Sequence, residues 1–236
     1  MRRQGSHSER QHRNVQSGGA RAAVFGVSDG LVTNVSLILG VAGAHPGATF
    51  VRLSGLSGLV AGAFSMAAGE YVSMQAQREL FERELEVERE ALASSPDAER
   101  RELAAIYERR GLSPDFAREL VEMMMRDPKT ALETHAREEL GIDPNALGSP
   151  LVAATSSFAT FALGAVLPLL PWLFSRGNGA IVASIVIGAC AAIGVGVMLG
   201  VLTGRSAAKS ALRQLLVATV AAAVTYGIGR AVGAST

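Results

Sequence analysis

Apolar residues are not spread evenly along this chain. They fill long blocks, with one charged block between them. The first block, Ala22 to Ala44, reads AAVFGVSDGLVTNVSLILGVAGA and contains a single charged residue, Asp29. Further apolar runs extend from about Val51 to Gln75, from Leu151 to Phe174, from Ala180 to Thr203 and from Ala211 to about Ala231. At ~1.5 Å per residue, each is long enough to cross the ~30 Å hydrocarbon core as a helix. Short connections at 45–50, 175–179 and 204–210 predict antiparallel hairpins.

Between the second and third runs lies Ala76–Ser149, which reads as helix throughout. No breaker follows Gln75, so the second span is expected to continue as AQRELFERELEVEREAL. Ser95-Pro96-Asp97, Ser113-Pro114-Asp115 and Asp127-Pro128 each place a capping residue before Pro at the first helical position. Gly111 and Gly141 are the expected stops. The chain thus divides into a basic tail (1–21), two spans (22–75), a helical insert (76–149) and three further spans (150–236). The fold class is an all-α membrane protein.

Charge sharpens this division. Of the 21 acidic residues, Asp29 and Glu70 lie in apolar runs, Glu9 lies in the tail, and all the rest lie between Glu79 and Asp143. The tail is polar and basic, expected to be disordered, and followed by too long an apolar run for a cleaved signal. Arg2, Arg3, Arg10, Arg13 and Arg21 precede the first span, and Arg205, Lys209 and Arg213 flank the fourth-to-fifth connection. Arg52, Arg176 and Arg230 are the only basic residues on the opposite side. By the positive-inside rule the N-terminus and the insert face the cytoplasm and the C-terminus faces away. The lone Cys190 excludes an intrachain disulfide and a cysteine zinc cluster. Neither an HExxH motif, a phosphate loop nor a nucleophile–base pair suggests an enzyme, and the basic tail lacks the interleaved aromatics of a nucleic-acid binder.

The candidate chemistry starts at Asp29. A carboxylate in the hydrocarbon costs about 2.5–3.5 kcal/mol on insertion scales, so a bound cation or a proton is expected to compensate it. A structural Asp hydrogen-bonded to a neighbouring helix is the plainer alternative. Counted from the span ends, Met66 and Glu70 fall at a similar depth on the second span, and Thr33 lies one turn from Asp29. A thioether beside carboxylates suits a transition metal such as Fe²⁺ better than Ca²⁺ or Mg²⁺. Core packing for Met66 and an interfacial, solvated position for Glu70 are the competing readings. In the insert, Glu79, Glu82, Glu86 and Glu90 share one stripe, Glu84 and Glu88 lie on another, Glu99 and Glu102 form a pair, and Glu133, His135, Glu138 and Glu139 crowd the last helix, all at helical spacings that can converge on a metal. Solvated ion-paired faces are the alternative there.

Three stretches carry a resemblance: FGVSDGLVTNVSLILGVAGA, LVAGAFSMAAGEYVSMQAQRE and DPKTALETHAREELGIDP. They resemble the vacuolar iron transporter family from about Arg21 to the end of the chain. The resemblance implies a homodimer that moves Fe²⁺, and in some members Mn²⁺, out of the cytoplasm in exchange for protons. It implies intramembrane metal ligands at Asp29 and Met66, with Glu70 as companion, and cytoplasmic ligands at Glu88, Glu99, Glu102 and Glu139. Two departures stand out. Position 91 is Ala where a further glutamate is expected, and His135-Ala136 stands where a methionine pair is expected. His135 is a candidate replacement ligand, and imidazole suits Fe²⁺ or Zn²⁺. Longer family members carry an N-terminal ferritin-like domain, for which this tail is too short.

The expectation is therefore a dimeric, proton-coupled Fe²⁺ exporter, with Mn²⁺ as alternative cargo and no resident cofactor. Its partners are a second copy, the metal and protons, and the bilayer, with no nucleic acid. For a bacterial chain that bilayer is the plasma (inner) membrane. A membrane-anchored metal sensor is the competing class, and it has no use for Asp29.

Overall fold

The computed structural model describes residues 18–45 and 47–234. Among the described residues all regular structure is helical, in eight helices: α1 (Gly18–Gly43), α2 (Ala48–Ser94), α3 (Pro96–Arg109), α4 (Pro114–Met124), α5 (Pro128–Glu138), α6 (Pro150–Phe174), α7 (Gly177–Leu202) and α8 (Ala207–Gly233). Five of them, α1, α2, α6, α7 and α8, are long and apolar enough to cross a membrane. The first begins at Gly18, four residues before the expected start at Ala22. The rest of the expected disordered tail, residues 1–17, lies outside the described residues, as does Pro46 of the breaker between α1 and α2.

The continuity expected at Gln75 is present. Helix α2 runs unbroken for 47 residues, about 70 Å at the helical rise. It carries the second span and the first helix of the insert as one rod. The three insert helices start at Pro96, Pro114 and Pro128, as the sequence predicts. Only Asp127 caps with its side chain, accepting from the Thr130 amide at 2.9 Å. Ser95 and Ser113 make no side-chain cap. There the pre-set φ of Pro suffices, because its missing N–H removes one of the donors a cap would satisfy. Gly111 (φ 99°) and Gly141 (φ 67°) follow α3 and α5 in the left-handed region, which glycine adopts without penalty.

Helix α1 is the hub of the membrane bundle, touching α2, α6, α7 and α8. In lipid such packing depends on small residues, because there is little hydrophobic gain in exchanging lipid tails for side chains. At Gly30 a Cβ would stand 2.1 Å from the Phe161 carbonyl oxygen, and at Gly164 of α6 it would stand 2.2 Å from that of Val27. The glycine rows of α2 and α7 also pack closely, through Gly55, Gly58 and Gly62 on one and Gly188, Gly196 and Gly200 on the other. Gly69 and Gly194 of the same rows face open space, since spacing along a helix does not say which face is covered. Polar groups add a few specific ties. Asn34 Nδ2 donates to the Ala165 carbonyl at 2.6 Å, and Ser184 Oγ donates to that of Pro168 at 2.8 Å.

Close contacts set the register. Gly55 meets Ile38 and Gly58 meets Asn34, so α2 runs antiparallel to α1. Ser28 pairs with Gln214, and Gly40 with Thr225 and Gly229, so α8 runs parallel to α1. The insert and the α7–α8 connection therefore lie at the same end of the bundle.

This packing predicts that Gly30→Ala lowers the thermal midpoint of the purified protein, at a cost of about 1–3 kcal/mol or more for overpacking. Gly194→Ala should leave the midpoint unchanged, because nothing lies within 4 Å of its added Cβ. Thermal unfolding of both variants in the same detergent checks the contrast.

Candidate metal site

Three helices of the insert bring one imidazole and three carboxylates together. Glu88 comes from the distal part of α2, Glu99 from the first turn of α3, His135 from α5, and Glu139 from the residue that ends α5. His135 is fully buried, Glu88 is 7% exposed, and Glu139 forms the open rim. From His135 Nδ1 the nearest carboxylate oxygens lie at 3.0 Å (Glu88), 3.6 Å (Glu139) and 3.8 Å (Glu99). One ligand atom from each of the four residues fits within 4.8 Å of the others. That is the separation expected of donors around a single cation.

The hydrogen bonding is incomplete. Both ring nitrogens of His135 and Oε1 of Glu88 are buried without a hydrogen-bond partner. Leaving such groups unsatisfied costs about 1–3 kcal/mol each, and more when they are charged. Electrostatics point the same way. Burial first, and then the charges of Glu139, Glu99 and Glu102, push the Glu88 carboxyl up to about 7. Glu99 is also raised, chiefly by burial, with His135 acting against the shift. The folded metal-free chain therefore holds a proton on Glu88 that the unfolded chain releases near 4.5. Stability from this group is full below that pH and is lost as pH rises through about 7.

Neighbouring contacts hold the helices in place. Tyr107 of α3 donates to Glu138 at 3.4 Å, and Arg110 pairs with the same carboxylate, tying α3 to α5. Glu138 is thereby used as a structural partner. Glu102 is exposed and lies outside the four-residue group, contributing charge to Glu88 and Glu99 from one turn away. The Met123–Met125 run is split as helical geometry requires. Met125 packs on the α3–α4 core around Leu103 and Val121, Met123 is exposed, and Met124 meets the Tyr107 hydroxyl at 3.7 Å.

The membrane residues are arranged differently. Asp29 is half-buried and accepts from Thr33 Oγ1 at 3.4 Å. Phe25, Asp29 and Thr33 form one stripe of α1, with Phe25 and Thr33 exposed. Further along the same side, a groove of about 490 Å³ opens between α2 and α8, lined in part by Ser36, Gly40, Ser54 and Thr225. Extending the α1–α2 register puts Asp29 level with roughly residue 63 or 64. Met66 is then within a turn of it, and Glu70 about 10 Å nearer the insert. Counting from the span ends had placed all three at a similar depth. Met66 packs beside Ala63, Phe161 and Ala165, and Glu70 is half-buried on α2. A single chain thus gathers the insert ligands but leaves Asp29, Met66 and Glu70 spread over two helices.

Two buried polar residues near this stripe escaped the sequence reading. Asn34 is fully buried between α1 and α6, and Gln214 of α8 donates to Ser28, beside Asp29, at 2.6 Å. Their polarity inside apolar runs was the available signal.

Known proteins are similar to this chain over much of its length. The chain is 30% identical over 231 residues to vacuolar iron transporter 1 of Oryza sativa subsp. japonica, covering 96% of this chain and 92% of that protein. It is 31% identical over 213 residues to vacuolar iron transporter 2 of the same plant, covering 90% and 87%. A vacuolar iron transporter of Acanthamoeba castellanii is 38% identical over 154 residues, 65% of this chain and 55% of its own length. A sequence model of the VIT family matches residues 20–230, a stretch that takes in four candidate spans, most of the fifth, and the insert with its four-residue cluster. With that match running over most of its length, this chain belongs to the VIT family.

Proposed function

We propose that the chain is a membrane transporter that exports Fe²⁺ from the cytoplasm in exchange for protons, with Mn²⁺ as a second cargo. The relatives named as vacuolar iron transporters support iron as cargo and a transporter rather than an enzyme. The observation that carries the metal reading is the buried, unpartnered His135 with three carboxylates within 3.8 Å of its Nδ1. A divalent cation there removes the mutual repulsion of the carboxylates and gives Nδ1 of His135 and Oε1 of Glu88 a partner in one step. One nitrogen and three oxygens suit Fe²⁺, Mn²⁺ or Zn²⁺, and the imidazole weighs against Ca²⁺ and Mg²⁺.

In this reading the insert captures cargo on the cytoplasmic side, and Glu139 at its rim is the entry. Helix α2 then joins capture to membrane passage, since Glu88, Glu70 and Met66 stand on the same rod. Asp29 is the intramembrane way-station. Its stripe on α1 would meet lipid in a lone chain, at about 2.5–3.5 kcal/mol for a charged carboxylate. A homodimer that buries this stripe against its own copy gives two Asp29 carboxylates one shared path, with Met66 close by. A proton returning to the carboxylates as metal leaves supplies the exchange. In a bacterial cell the membrane is the plasma membrane, with insert and N-terminus inside.

Fe²⁺ uptake into proteoliposomes carrying an iron-sensitive dye is expected to depend on an imposed pH gradient and to be lost in Asp29→Asn. Gradient-dependent uptake retained by that variant contradicts the role of Asp29. Saturable Fe²⁺ binding without any uptake favours the sensor.

The insert gives a second expectation. The thermal midpoint of the metal-free protein should fall between pH 5 and pH 8, as Glu88 loses its proton across about 7. Fe²⁺ should restore it, with an affinity that rises over the same interval because metal and proton compete. Glu88→Gln should flatten the metal-free profile and weaken Fe²⁺ binding by at least roughly 10–100-fold, the range known for lost supporting groups around metals. A midpoint in Glu88→Gln that still falls as steeply would contradict the assignment.

A further inference from the structure

The chain beyond the insert has an electrostatic character opposite to that of the insert. Residues 76–149 hold eighteen acidic and eleven basic residues, a net charge of −7, whereas no acidic residue occurs from Pro144 to Thr236. At the end of the bundle nearest the insert, Arg205, Lys209 and Arg213 follow one another at intervals of four, in the α7–α8 connection and the first two turns of α8. All three are exposed, and among the described residues no carboxylate pairs with any of them. Arg213 lies about 9 Å into α8, a depth from which a long side chain reaches back to the interface. The acidic insert lies at the same end of the bundle and is abundant in carboxylates, yet these pair with its own arginines, as in Arg78–Glu82, Arg89–Glu86 and Arg118–Asp115. Arg205, Lys209 and Arg213 have no carboxylate partner among the described residues.

Their apolar surroundings identify the kind of counter-charge. Val201 and Leu202 precede them at 69% and 44% exposure, and Leu212 and Leu216 flank Arg213 at 57% and 54%. A ligand that is anionic at one end and apolar at the other matches both halves of this surface. We propose that Arg205, Lys209 and Arg213 bind the phosphate headgroup of an anionic phospholipid in the leaflet on the insert side. Its acyl chains lie along Leu212 and Leu216. The site anchors the bundle at a membrane surface whose negative potential would otherwise repel the insert.

Native mass spectrometry of the full-length protein, titrated with phosphatidylglycerol and with phosphatidylcholine, tests this. Each cation near an anionic surface contributes roughly fivefold, so the preference for phosphatidylglycerol should fall about a hundredfold in the triple variant Arg205→Gln, Lys209→Gln, Arg213→Gln. A second variant guards against misfolding: Arg205→Lys with Arg213→Lys keeps the charge and should keep the preference. An unchanged preference in the triple variant overturns the proposal. So does displacement of phosphatidylglycerol by millimolar inorganic phosphate, which would make the site one for the free anion. Loss of preference in the charge-keeping variant also overturns it, since headgroup attraction requires only the charge.

Discussion

A charge removed from water has to find a counter-charge, and this chain breaks that rule in two places at once. In the insert, three carboxylates surround a buried imidazole nitrogen without hydrogen-bonding to it, and Glu88 responds by holding its proton up to about 7. In the membrane, Asp29 has only Thr33 as its hydrogen-bond partner among the described residues. Protons can neutralise both sites, and so can divalent cations. Two ions competing for the same groups is the chemical requirement for exchanging one against the other. The surrounding structure holds these groups in place at a cost that packing elsewhere must offset.

Much of that packing is the close approach of α1 to its neighbours. Gly30 and Gly164 let α1 and α6 come together at backbone distance, which fixes the rotation of α1 about its axis. That rotation sets Ser28 toward Gln214 of α8 and leaves Asp29 and Thr33 on the open stripe. Helix α2 then transmits position along its 47 residues, because a continuous helix has no joint between the Met66 region and Glu88. The insert cluster and the membrane stretch around Met66 are therefore mechanically linked through one element.

How much of this could be read from the chain depended on whether the signal was local. The apolar runs and the Pro-initiated insert helices follow from short-range rules, and so does the unbroken passage of α2 through Gln75. All three appear as expected. His135 drew attention because it stands where thioethers were expected, and it proved to be the residue on which the other three converge. What depends on tertiary register was less legible. Glu70 and Asp29 looked level when counted from the span ends, but those ends are not at the same height, and the contacts of Gly55 and Gly58 set a different alignment. Gly69 and Gly194 fit their glycine rows yet pack against nothing, while Gly30 and Gly164, and Gly229 against Gly40, meet a neighbouring helix at backbone distance. Glu138 looked like a ligand by spacing, but it is committed to Arg110 and Tyr107 from another helix.

The central claim is that Glu88, Glu99, His135 and Glu139 hold the cargo ion as one site. X-ray absorption at the iron edge of the Fe²⁺-loaded full-length protein, compared with the same measurement on His135→Ala, tests it most directly. The account predicts a first shell of oxygen and nitrogen with the outer-shell scattering of a single imidazole, absent in the variant. A spectrum that shows no imidazole, or one that is identical in the variant, would contradict it.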